Sequence, residues 1–271
     1  EQDGKVINPF IRLVTERAAG LPLYVKYVIG DVLGGKYRVL DGEEELPDSL
    51  HSYHEELLRR LGVGDLQAVV TPLAAILVTA YEPLSVRELV AILVHRKLLT
   101  EEGARQMVEK GLAAIASMVR SAPDPEGEVG YCLFHQSLRD HMTGSDQMTH
   151  SIATAREAFA DLAEQENQPD VLRNYLLRCG IDHLLEVGRS EEAERQLLDL
   201  DHFYEMNQKG VKQLTLYRYW EELGGEGRAM QYLESVEKTL RNQNDENNFL
   251  KADLVENLTQ FACWDDLNLS L

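Results

Sequence analysis

EPLSVRELVAILVHRKLLTEEGARQMVEKGLAAIASMVRSAPDPEGEVGYCLFHQSLRDHM, residues 82–142, is the stretch on which the fold turns. Ser85 with Glu88 three residues on has the spacing of a capping box, in which each side chain satisfies the other's free backbone N–H, and it predicts a helix running to about Val94. Thr100 is placed to cap the next helix, with Glu101 and Glu102 near its positive end. Residues 116–122 and 129–134 have strand composition and flank the turn signal Pro-Asp-Pro-Glu-Gly at 123–127, so together they predict one small hairpin. Immediately upstream, residues 66–81 predict a strongly apolar helix, with Pro72 expected near its start, where a missing N–H costs least.

Three helices followed by a hairpin is the order of a winged-helix domain, assigned to residues 63–148. Upstream, Phe10, Leu13, Val14 and then Tyr24, Val25, Val28, Ile29, Val32 recur at helical spacing, broken at Gly20-Leu21-Pro22, which predicts two helices with a bend. Residues 33–46 are rich in glycine and acid and read as a surface loop. Pro47 then opens a helix to about Arg60, and Gly62 and Gly64 mark a boundary. Downstream, short amphipathic helices at 171–187 and 191–200 are punctuated by Gly188, Gly210 and the glycines at 224, 225 and 227, as arrays of helix pairs require. The fold class is therefore mainly α, in three parts: a helical segment 1–62, the winged-helix domain 63–148 with its single β-hairpin, and a helical linker entering a solenoid over 149–271.

The chain has 271 residues, enough for two or three domains with cores of their own. Its apolar runs fall far short of the roughly 20 residues needed to span a bilayer. Cys132, Cys179 and Cys263 stand apart without CxxC spacing, so neither a disulfide framework nor a zinc site is indicated, and a cytoplasmic location is expected. Acidic residues outnumber basic ones 46 to 27, a formal charge of −19 that repels nucleic acid. The chain opens at Glu1 without methionine and stops at Leu271 inside an apolar pattern, which reads as a piece of something longer.

No phosphate-gripping loop is found: Gly34-Gly35-Lys36 lacks the glycine spacing and the following Ser or Thr of a Walker A motif. There is no GxSxG elbow or HExxH helix, and histidines and acids are not grouped in sequence as a triad or metal site needs, so no catalytic residue and no metal are expected. Two short segments carry more information. Gly20-Leu21-Pro22-Leu23 lies at a helix junction where the proline ring fixes the bend and offers a flat apolar face. Phe134-His135-Gln136-Ser137-Leu138-Arg139-Asp140-His141-Met142 follows a strand and opens a helix, and a histidine there stands beside free N–H groups, a favourable place for phosphate.

The order and separation of these two segments resemble the STAND class of P-loop ATPases, the NACHT and NB-ARC proteins. Residues 20–23 look like the GLPL motif of that class's helical lid, and Phe134-His135 with Ser137 and Asp140 looks like its winged-helix histidine motif. The motif departs from the class in its F-H step, in Leu138 for an aromatic, and in His141-Met142 for Y-L. Leu46-Pro47-Asp48-Ser49-Leu50 with Tyr53, Glu82-Pro83-Leu84-Ser85, and Tyr175 to Arg178 through His183 to Arg189 are similar to further class segments, so the likeness covers about residues 20–200. The remainder is similar to members carrying tetratricopeptide repeats, with a first repeat near Asp253.

This resemblance implies that residues 1–62 are the lid of an ATPase core outside the chain, that Pro22 packs near adenine, and that His135 contacts the diphosphate of ADP, with Ser137 and Asp140 stabilising the turn. It implies ADP or ATP as ligand of the full-length protein only, the ATPase core of the same chain as partner, self-association on activation, and a protein trigger acting through the repeats. Signalling or defence is the implied setting, with no nucleic-acid or membrane partner. Two alternatives stand beside it. One is a winged-helix transcription regulator, which the acids Glu101, Glu102 and Glu109 on its would-be recognition helix oppose. The other is a passive helical scaffold in which both motifs are accidental.

Overall fold

A computed structural model describes residues 3–33, 46–61, 66–165, 167–211, 213–224 and 238. Among them the chain forms twelve α-helices and one two-stranded antiparallel sheet, the mainly helical fold with a single hairpin expected from the sequence. None of the described helices is long and apolar enough to cross a membrane. The chain divides into two compact units, Glu1–Ala155 and Arg156–Leu271. The glycine-rich segment 34–45, the boundary glycines Gly62 and Gly64, the glycines at 225 and 227, Cys263 and the first repeat near Asp253 lie outside the described residues.

The first unit opens with α1 (Asp3–Ala18) and α2 (Pro22–Leu33). The bend between them holds Gly20 at φ +82°, a left-handed conformation glycine adopts without a Cβ penalty, and the Leu21 N–H donates to the Ala18 carbonyl at 2.7 Å. Pro22 is the first residue of α2, where its missing N–H removes no helical bond. Val14, Ala18, Tyr24, Val28 and Leu46 form the core between these helices, with the Tyr24 hydroxyl donating to the Pro47 carbonyl. Helix α3 (Leu50–Leu61) follows, capped by Ser49, whose Oγ accepts from the Ser52 N–H at 3.1 Å. Pro47 therefore precedes the helix rather than opening it, because the serine two residues later supplies the cap.

Helix α4 (Gln67–Thr79) is buried along Val69, Val70 and from Leu73 to Thr79. Pro72 is its sixth residue, not in its first turn as expected. The N–H it lacks would have met the carbonyl of Ala68, a residue on the exposed side of the helix. Helix α5 (Val86–His95) carries the expected capping box: Ser85 Oγ accepts from the Glu88 N–H at 3.3 Å and Glu88 Oε2 from the Ser85 N–H at 2.7 Å. Helix α6 (Ala104–Ala114) starts later than expected. Its N-cap is Gly103 at φ +76°, without a side-chain cap, while the Thr100 hydroxyl donates to the Glu102 carbonyl at 3.3 Å. Thr100 thus closes the preceding turn instead of the helix.

Strands β1 (Val119–Pro123) and β2 (Val129–Leu133) pair in the register Val119 to Leu133 and Pro123 to Val129. Asp124 Oδ1 organises their turn by accepting from the N–H groups of Glu126 and Glu128 at 2.9 and 2.8 Å. Leu84 bonds Tyr131 in both directions, at 3.0 and 2.8 Å, so the residue before the capping box adds a bridge to the hairpin edge. Helix α7 (Gln136–Thr143) follows β2 directly, and Arg139 fastens it to α4 by donating to the carbonyls of Leu77, Val78 and Ala80. These are carbonyls that the end of a helix leaves without N–H partners.

The division at Ala155 falls within α8 (Asp146–Glu164). In the second unit, α9 (Asp170–Glu186), α10 (Ser190–Leu198), α11 (Leu200–Gln208) and α12 (Gln213–Glu222) follow one another with short turns, Gly188 and Gly210 taking φ +79° and +83° in two of them. The His183 ring stacks on Phe159 at 4.2 Å and meets the Tyr175 hydroxyl at 2.8 Å. Arg189 reaches back to Glu157, Asp161 and Glu164 at 2.7, 2.7 and 2.9 Å, tying the α9–α10 turn to α8.

Candidate functional site at the start of α7

His135 is the N-cap of α7. Its backbone is extended and its Nδ1 accepts from the Ser137 N–H at 3.1 Å, with Ser137 Oγ 2.9 Å away. An Nδ1 that accepts carries no proton, so the neutral ring keeps its proton on Nε2, a donor on an exposed side chain. One of the N–H groups expected to be free for an anion is thus taken by the histidine itself. Ser137 holds the ring, and Asp140 Oδ1 accepts from Gln136 Nε2 at 2.7 Å, which fits the turn-stabilising roles expected for both.

Helix α2 runs beside this step. Lys26 Nζ stands 3.9 Å over the Phe134 ring, a cation–π contact, and the Tyr27 ring lies 5.7 Å from Phe134. Pro22 and Lys26 are four residues apart on α2 and so share a face, both exposed. The fold therefore sets the helix that Pro22 begins against the residue preceding His135, joining two segments more than a hundred residues apart in sequence.

Sequence reading missed what surrounds this step. Tyr27 stacks on Tyr53 at 4.9 Å, and Tyr53 donates to Asp31 Oδ2 at 2.9 Å. Burial pushes the Tyr27 hydroxyl up to about 12, and that hydroxyl has no hydrogen-bond partner among the described residues. His51 and His54 of α3 meet His141 of α7, with ring centroids 4.8 and 5.4 Å apart. Burial lowers His54 to about 4, with His141, His51 and His135 adding repulsion to its charged form. Burial also lowers His141, helped by His51 and opposed by Glu55. The i, i+3 spacing of His51 and His54 was legible, but their partner lies far along the chain. Beside them is a cavity of about 500 Å³ lined by His51, Glu55, Asp140, His141 and Gln147. Among the described residues no group of three His, Cys, Asp or Glu is arranged to hold a metal ion.

Comparison with protein-family models, curated proteins and solved structures found no match for the chain.

Proposed function

We propose that this chain is the regulatory and oligomerisation part of a STAND-type nucleotide switch, with residues 1–62 as lid, 63–148 as winged-helix domain and 149–271 as linker and start of a repeat array. The observation that supports the reading is the packing of Lys26 and Tyr27 of α2 on Phe134, which sets the helix that Pro22 begins beside the residue preceding His135. There Pro22 offers an apolar face to adenine and His135 Nε2 a donor to the diphosphate, assisted by the positive end of α7. The ATPase core and its magnesium site belong to the longer chain, and hydrolysis is not assigned to these residues. Exchange of ADP for ATP removes contacts that favour the closed arrangement, frees the winged domain and permits self-association, with a protein trigger acting through the repeats.

The test is His135→Ala in the full-length protein. A hydrogen bond to a charged group contributes roughly 1.5–3 kcal/mol, so its loss should weaken ADP binding about ten- to a hundredfold and raise the oligomeric fraction without trigger. Unchanged ADP affinity in a folded variant would sink the assignment of His135, and an upstream sequence without Walker A and Walker B segments would sink the reading as a whole.

A further inference from the structure

We propose that the contact between α3 and α7 is an acid-released latch, closed while His51, His54 and His141 are neutral and opened when this cluster takes up a proton. The inference does not rest on the nucleotide reading. Three imidazoles from two helices converge, with His51 and His54 standing 4.8 and 5.4 Å from His141, a spacing that neutral rings tolerate and at which two protonated rings repel. His54 is at the centre, 3% exposed, its buried Nε2 without a partner among the described residues, and the Tyr27 ring covers it edge-on at 6.1 Å.

The neighbouring charges decide which proton does the work. From α3, Glu55 stands 3.3 Å from His51, on the exposed side. From α7, Asp140 lines the same cavity but is held by Gln136, and the cap His135 adds only further repulsion toward His54. From α2, Lys26 is occupied over Phe134, and Tyr27 keeps its proton across the whole physiological range. Among the described residues, the groups that act on His54 are histidines and no carboxylate. A proton there meets other histidines and apolar surroundings, and separating the helices is what relieves it.

Each helix has anchors apart from this contact. Helix α7 is held to α4 by the three carbonyl bonds of Arg139, whereas α3 is tied to α2 by the Tyr53–Asp31 hydrogen bond and the Tyr27–Tyr53 stack, to α4 by the Thr71 hydroxyl donating to the Leu61 carbonyl at 3.2 Å, and to α8 by Gln147 donating to the Leu58 carbonyl at 2.9 Å. Release therefore parts α3 from α7 at the histidines and leaves α7 on α4. This is a two-state element biased by protonation, of the kind on which histidine switches depend.

The experiment is hydrogen–deuterium exchange of the full chain at pH 7.5, 6.0 and 5.0, corrected for the pH dependence of chemical exchange, on wild type, His54→Leu and His141→Gln. In the wild type, protection of α3 should fall about tenfold or more between pH 7.5 and 5.0, the factor set by one histidine titrating well below its unfolded value, while α4, α5, α6 and α7 keep theirs. His54→Leu should abolish the dependence. His141→Gln, at a half-buried position, should weaken it and serves as the second test where His54→Leu misfolds. Equal loss across the first unit, protection of α3 that does not change with pH, or a folded His54→Leu that retains the wild-type response would each overturn the latch.

Discussion

Glu88 is an acid with only 8% of its surface exposed, and it sits there because its carboxylate completes a cap rather than meeting solvent. Removing the reciprocal hydroxyl tests this: Ser85→Ala should lower the unfolding free energy by about 1 kcal/mol in urea titration. Glu88→Gln should cost less, since an amide oxygen can still accept from the Ser85 N–H. Tyr53 poses a sharper case, because its hydroxyl donates to Asp31, which is 4% exposed. Tyr53→Phe leaves that carboxylate short of a donor and should cost roughly 1.5–3 kcal/mol. A change below about half a kcal/mol would mean that Asp31 is satisfied by its other contacts.

At the scale of elements, the hairpin owes its seat to a missing side chain. A Cβ on Gly130 would stand 2.7 Å from Pro83 Cβ and 2.9 Å from its carbonyl carbon, so only glycine lets β2 lie against the segment that leads into α5. Gly130→Ala should cost about 1–3 kcal/mol, as overpacking does. It should also speed amide exchange at Leu84 and Tyr131, whose mutual bonds depend on that approach. If the Leu84 and Tyr131 amides stayed protected while overall stability fell, the strain would lie elsewhere. Helix boundaries followed the same logic of local competition. Ser85 caps where its spacing says, whereas Thr100 is bypassed because Gly103 takes the left-handed turn at which α6 begins.

For the molecule as a whole, the second unit carries its own acid sensitivity. His183 is fully buried against Phe159 and Tyr175, and burial lowers it to about 3. Its unfolded value is about 6.5, so between these limits the unfolded chain binds the extra proton, and stability falls as pH drops through that window and is fully present above it. At pH 5 the loss from this one group should be roughly 2 kcal/mol. Trp220 is buried in the second unit, so its fluorescence in urea titrations of a Trp264→Phe background at pH 7.5 and 5.0 reads this unit. His183→Phe should flatten the difference. An unchanged pH dependence in that variant would move the effect to His202, which burial also lowers.

Much of this was written in local spacing. The bend at Gly20 and Pro22, the capping box at Ser85 and Glu88, the turn at 123–127 and the glycines at 188 and 210 each act over a few residues, and the helices and the hairpin formed where those signals put them. The cap role of His135 was not read from the sequence, which set the histidine beside free N–H groups, although its bond to Ser137 spans only two positions. Interactions that depend on distant segments were not. The tolerance of Pro72 inside α4 depends on which side of the helix faces water, and the bridge from Leu84 to Tyr131 depends on how the hairpin lies. The packing of Lys26 on Phe134 and the meeting of His51 and His54 with His141 join segments separated by most of the first unit, and no periodicity along the chain encodes them. Sequence determined the elements because backbone hydrogen bonds are satisfied locally. Tertiary structure alone decided which titratable groups are buried together, because burial and mutual repulsion depend on neighbours the chain supplies only when folded.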